Sequence, residues 1–128
     1  MEFKREMTET LKKWKDASDR KPVLLRGARQ TGKTWVMEAF GKECFEHYVK
    51  FDFDRTPELK SVFKDTKDPE RLIRGLSLYS DVPIIAGRTL IVFDEIQECE
   101  EALNSLKYFY EEAPGYHIIA AGSLLGVA

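Results

Sequence analysis

The stretch from Pro22 to Phe40, "PVLLRGARQTGKTWVMEAF", restricts the fold more than any other part of the chain. Val23-Leu24-Leu25 is a short apolar run behind Pro22, too short to show helical periodicity, and reads as a buried strand. The eight residues from Gly27 to Thr34, "GARQTGKT", then satisfy G-x-x-x-x-G-K-[ST] at every fixed position. These residue types suit a bound triphosphate. Gly27 lets the chain leave the strand sharply, and Gly32 lets backbone N–H groups approach phosphate with no Cβ between them. Lys33 brings positive charge to the β- and γ-phosphates, and the Thr34 hydroxyl is a ligand for Mg²⁺. A helix is expected to begin at Lys33, with its positive dipole end beneath the phosphates. Val36, Ala39 and Phe40 give that helix a sheet-facing side, and Gly41 reads as its stop. The nucleotide-binding set runs over Gly27, Gln30, Thr31, Gly32, Lys33, Thr34 and Trp35.

The rest of the chain alternates between strand and helix patterns. Phe3, Met7, Leu11 and Trp14 recur at helical spacing, which predicts an amphipathic N-terminal helix followed by a polar turn over Asp16 to Lys21. "HYVKFDF" (47–53) alternates apolar and polar residues and reads as a second strand, with Asp52 and Asp54 as turn acids. Asp68 is placed as an N-cap with Pro69 at the first helical position, ahead of an apolar face of Leu72, Ile73, Leu76 and Tyr79. "TLIVFDEIQ" (89–97) is an apolar strand ending in two acids. A helix with Cys99, Leu103, Leu106, Phe109 and Tyr110 on one side follows, stopping at Pro114-Gly115. "HIIAAGSLLG" closes the series as another apolar strand. Apolar strands alternating with helices predict an α/β fold whose parallel sheet is covered on both faces.

"LIVFDE" supplies the second half of the site. An acid at the carboxyl end of an apolar strand enters the crevice where α/β proteins bind ligands. Asp94 is assigned to the Mg²⁺ side of the site, completing the shell begun by Thr34, and Glu95 is free to act as general base toward water. Ser123, at the tip of the last strand, is placed to hydrogen-bond the γ-phosphate or the attacking water. His47 and His117 stand at strand starts, with no partner suggesting a metal or a triad.

Length and charge bound the alternatives. The 128 residues argue for one domain, and 43% of them are hydrophobic, enough for a real core. A net charge of −2 gives no global case for nucleic acid, which stays open as a partner without that support, or for a membrane. The distribution is uneven: residues 1–34 carry ten Lys and Arg against five Asp and Glu, and the remainder ten against seventeen. No apolar run approaches the ~20 residues of a membrane span. The charged N-terminus is no signal peptide. Cys44 and Cys99 show no metal spacing and read as reduced, buried thiols of a cytoplasmic protein.

Together, and in this order, "GARQTGKT", "LIVFDEIQ" and "IIAAGSLLG" resemble a prokaryotic AAA+-type ATPase family. Its members usually continue into a C-terminal nuclease-like domain of unknown function. The resemblance covers nearly the whole chain, including "FDFD" and "LKYFYEEAP". It implies a three-layer P-loop NTPase fold with strand order 2-3-4-1 and a fifth strand normally beside the first. It also implies ATP with Mg²⁺: Lys33 and Thr34 on phosphate and metal, Asp94 on the metal, Glu95 activating water and Ser123 sensing phosphate. Residues 1–128 then read as an ATPase core cut short at its C-terminus, without the fifth strand, a helical lid or an arginine finger. The expected activity is ATP hydrolysis coupled to a downstream domain of the same full-length chain. The alternative is a nucleotide-gated switch with negligible turnover. The uncovered edge of the first strand predicts self-association into a homo-oligomer.

Overall fold

The computed structural model describes residues 2–26 and 33–122, with backbone alone for residues 2–4 and 33. Helix α1 (Glu2–Asp16) precedes strand β1 (Val23–Arg26), α2 (Lys33–Cys44) and β2 (His47–Asp52). The short α3 (Lys60–Lys64) and α4 (Pro69–Ser77) lead to β3 (Thr89–Asp94), α5 (Glu100–Glu112) and β4 (His117–Gly122). All strand pairs are parallel and the order is β1-β4-β3-β2, the order implied by the resemblance read from the other edge.

Side-chain alternation along the strands feeds two separate cores. Odd-numbered residues of β2 and β3, among them Val49, Phe51, Ile91 and Phe93, pack with Ile118 and Ala120 against α3, α4 and α5. Leu90, Val92, Ile119, Ala121 and Leu25 face the other way, onto Leu11 of α1 and Val36, Met37 and Phe40 of α2. Phe93 is the hub of the first core, its ring centroid 5.7 to 6.4 Å from those of Phe51, Phe53, Phe63 and Phe109. Because both faces are covered, β3 is buried from Thr89 to Phe93 and reads as a continuous apolar run.

Local signals hold at α4, where the Asp68 carboxylate accepts the Arg71 N–H at 3.1 Å and Pro69 opens the helix. Four expectations need correction. Gly41 is no stop: α2 runs on to Cys44, and Gly41 is where the helix comes down on the Tyr48 ring of β2. Tyr79 lies beyond the end of α4 and is largely exposed, so it does not extend the apolar face. Val23 is only half-buried, because β1 is an edge strand. Cys44 is half-buried rather than buried, while Cys99 is fully enclosed, and both are free thiols.

Candidate functional site

Parallel strands deliver their carboxyl ends to one side of the sheet. Register places Leu25 beside Ala121, Ala121 beside Asp94, and Asp94 beside Asp52. Strands β1 and β3 flank β4, so the end of β1 and the acids of β3 stand two strand spacings apart, about 10 Å. That gap is the crevice of an open α/β sheet. Helix α2 opens at Lys33, and at its amino end Thr34 and Trp35 are both exposed. Gly27, Gln30, Thr31, Gly32 and Ser123 lie outside the described residues, as does the Lys33 side chain; the Lys33 backbone opens α2, as expected.

Asp94 is the better-defined half of the site. Its Oδ1 accepts the Glu95 N–H at 3.0 Å, and its Oδ2 lies 3.9 Å from Lys50 Nζ. Burial pushes its carboxyl above the usual range, while Lys50 and the Glu95 N–H pull it back. Asp52, its register partner, is a turn acid: its Oδ1 accepts the N–H groups of Asp54 and Arg55, each at 3.0 Å. Tyr48, on the same strand, has a buried hydroxyl without a hydrogen-bond partner among the described residues. Burial, then the charges of Glu38 and Asp94, raise its phenol above the ordinary value.

Glu95 is the sole non-glycine residue with positive φ among the described residues, at φ 52° and ψ 46°. The left-handed region costs an L-residue about 1–2 kcal/mol. The side chain is buried at 8% exposure, and its Oε1 accepts Gln97 Nε2–H at 2.8 Å. The other end of that amide, Gln97 Oε1, is buried with no partner among the described residues, an arrangement that costs about 1–3 kcal/mol. Two unfavourable features thus stand within three residues of the end of β3.

Reading the sequence alone missed the contacts of Lys50 with Asp94 and of Gln97 with Glu95, and the buried Tyr48 hydroxyl. Lys50 occupies an ordinary polar position of an alternating strand, and only register carries it to Asp94. Gln97 stands inside "DEIQ", two residues past the acid it bonds. His117, by contrast, is structural: its ring packs edge-on to Trp14 and Phe45, and Nε2 lies 3.2 Å from the Lys15 carbonyl oxygen.

Carboxylate and hydroxyl oxygens such as those of Asp94 and Thr34 are the donor chemistry a hard cation takes. Among the described residues no cluster of three or more His, Cys, Asp or Glu is arranged to hold a metal. Mg²⁺ takes few protein carboxylates and completes its shell with phosphate and water, so one acid and one hydroxyl, Asp94 and Thr34, suit it. No helix among the described residues is long and apolar enough to cross a membrane.

The model of an AAA domain family matches residues 19–128. Two solved structures share the fold. PCH-2 of C. elegans superposes with a TM-score of 0.61 at 13% identity, covering 98% of this chain and 38% of that one. The ORC1 protein of Aeropyrum pernix, in complex with DNA, superposes with a TM-score of 0.52 at 17% identity, covering 96% and 38%. No curated protein sequence matches the chain. The chain thus spans well under half the length of either structural neighbour. With the crevice, the strand-end acids and a family match across residues 19–128, the chain belongs to the AAA domain family, whose domains are of the nucleotide-binding, ATPase type.

Proposed function

We propose that this domain binds ATP with Mg²⁺ and hydrolyses it to ADP and phosphate. The observation that carries the reading is Glu95: a buried carboxylate on a strained backbone, one residue past the acid that ends β3. A domain that only holds nucleotide has no use for a base there. The loop from Gly27 to Gly32, with Gln30 and Thr31, offers backbone N–H groups to the phosphates, and Trp35 lies beside them. Lys33 places its ammonium on the β- and γ-phosphates, and Thr34 and Asp94 would hold the ion. Bound Mg²⁺ supplies charge neutralisation on the phosphate oxygens. Glu95 accepts a proton from the attacking water, and Ser123 donates a hydrogen bond at the γ-phosphate.

Coupling to a downstream domain belongs to the same proposal, since both structural neighbours are much longer than this chain. So does self-association through β1, whose Leu24 is 44% exposed. Two reduced thiols fit a cytoplasmic setting. DNA in the ORC1 complex makes nucleic acid a partner worth assaying, without support from a net charge of −2.

The test pairs phosphate release with calorimetric ATP affinity. Glu95→Gln keeps the side-chain shape but accepts no proton, so turnover should fall ~10²–10⁴-fold at near-constant affinity. Lys33→Ala and Asp94→Asn should weaken Mg²⁺-dependent binding itself. Turnover by Glu95→Gln at the wild-type rate removes Glu95 as the base. Binding without phosphate release by the wild type, alone and in a chain extended past Ala128, makes the domain a nucleotide-gated switch instead.

A further inference from the structure

The Glu95 carboxylate ends a flexible side chain, so general-base chemistry requires something to aim it. Its backbone is held firmly. Ile96 is fully buried in the core below α5, and the turn from Ile96 to Glu98 is closed by Glu98 N–H on the Glu95 carbonyl and Cys99 N–H on that of Ile96, each at 3.0 Å. Those bonds fix the chain on either side of Gln97. They leave its side chain to fold back over the left-handed turn, where Nε2–H meets Glu95 Oε1 at 2.8 Å. The amide carbonyl is buried without a partner among the described residues, so the bond to Glu95 is the polar contact shown for this side chain.

We propose that Gln97 is a positioning residue, one that orients the Glu95 carboxylate for proton abstraction from the attacking water. The inference rests on the hydrolysis reading above. In this role Gln97 acts through its hydrogen bond to Glu95 rather than on the nucleotide or the water itself. An amide suits this role better than a cation: it donates a directional hydrogen bond to one carboxylate oxygen without adding a charge that would depress the basicity of the base. A purely structural account has Gln97 pinning the strained turn, and it predicts different results.

Three measurements on the full chain separate the accounts. In ¹⁵N-labelled protein the Gln97 side-chain amide, assigned by its loss in Gln97→Met, should resonate away from free glutamine. It should return toward that position in Glu95→Ala. Steady-state phosphate release by Gln97→Met should show kcat lower by ~10–100-fold, the scale of a small misplacement of a reacting group. KM, calorimetric affinity for ATP with Mg²⁺ and melting midpoint should stay near wild type. In a Glu95→Gln background, Gln97→Met should cost less than twofold more, because there is no base left to aim. A Gln97 amide indifferent to Glu95→Ala overturns the inference. So does an equal loss of kcat in both backgrounds, or a fall in melting midpoint that accounts for the lost activity. No phosphate release by the wild type removes the hydrolysis reading and the catalytic purpose of the pair together, and the amide shift then reports a contact alone.

Discussion

Gly41→Ala sets two well-known effects against each other, and the structure decides between them. A helix-interior glycine replaced by alanine ordinarily gains about 0.8–1 kcal/mol of helix propensity. Gly41 lies inside α2, three residues from its end, and its added Cβ would overlap Tyr48 Cδ1 while standing 3.0 Å from Cγ and 3.1 Å from Cβ of the same residue. The last distance matters most. Turning the ring does not relieve it, because Tyr48 Cβ is fixed to β2, so helix and strand must separate. Overpacking of that kind costs about 1–3 kcal/mol, here toward the upper end, which leaves a net destabilisation of about 1–2 kcal/mol. For a chain of this length the melting midpoint should fall by about 3–8 °C.

Urea unfolding of four proteins measures the effect: wild type, Gly41→Ala, Tyr48→Ala and the double variant. With the ring removed, the overlap with Cδ1 and Cγ goes while the 3.1 Å contact with Cβ stays, so Gly41→Ala should become about neutral, giving a coupling of about 1–2 kcal/mol between the sites. Gly75→Ala in α4 is the control. Its Cβ would meet Val62 Cγ1 at 2.8 Å, but that methyl ends a short side chain on α3 that turns away, so the net change should stay within about 0.5 kcal/mol. A Gly41→Ala protein as stable as wild type, with no coupling to Tyr48, would refute the close approach of α2 to β2.

Three further outcomes follow from the same geometry. Phe93→Ala, at the centre of four aromatic contacts, should cost about 3–5 kcal/mol in urea unfolding, and a loss below 1 kcal/mol would contradict the packing of that core. Asp94→Asn should leave the nucleotide-free protein as stable as wild type near neutral pH, or more so, because burial disfavours the ionised carboxyl, while calorimetry shows Mg²⁺-dependent ATP binding weakened. His117 is held below its ordinary value of 6.5, first by burial and then by the charge of Arg20. The unfolded chain therefore takes up the proton first, so the stability His117 contributes is full above pH 6.5 and is lost as pH falls through the folded value. His117→Phe should flatten that part of the stability–pH profile, and an unchanged profile would show that the imidazole is not the titrating group.

What the sequence makes legible, and what it hides, divides along one physical line. Strand ends are local: an apolar run stops where the chain must leave the sheet, so "LIVFDE", read behind the "GARQTGKT" stretch, puts Asp94 at the end of a strand. Asp68-Pro69 likewise carries its own reason for starting α4. Gly41 misled because local propensity reads glycine as a terminator, whereas its use here is to let helix and strand touch, a fact that belongs equally to Tyr48, seven residues on. Lys50 reaches Asp94 only through parallel register, which depends on packing both faces of the sheet at once. Glu95 hides its conformation for a related reason. Nothing in a glutamate announces positive φ, so a left-handed turn there signals a requirement set by the surroundings rather than by the residue. Glycine would remove the strain and asparagine would tolerate it better, yet neither combines a carboxylate with the reach of this side chain. The strained glutamate is thus most simply understood as chemistry overriding conformational preference at the one position where the proposed reaction needs a base.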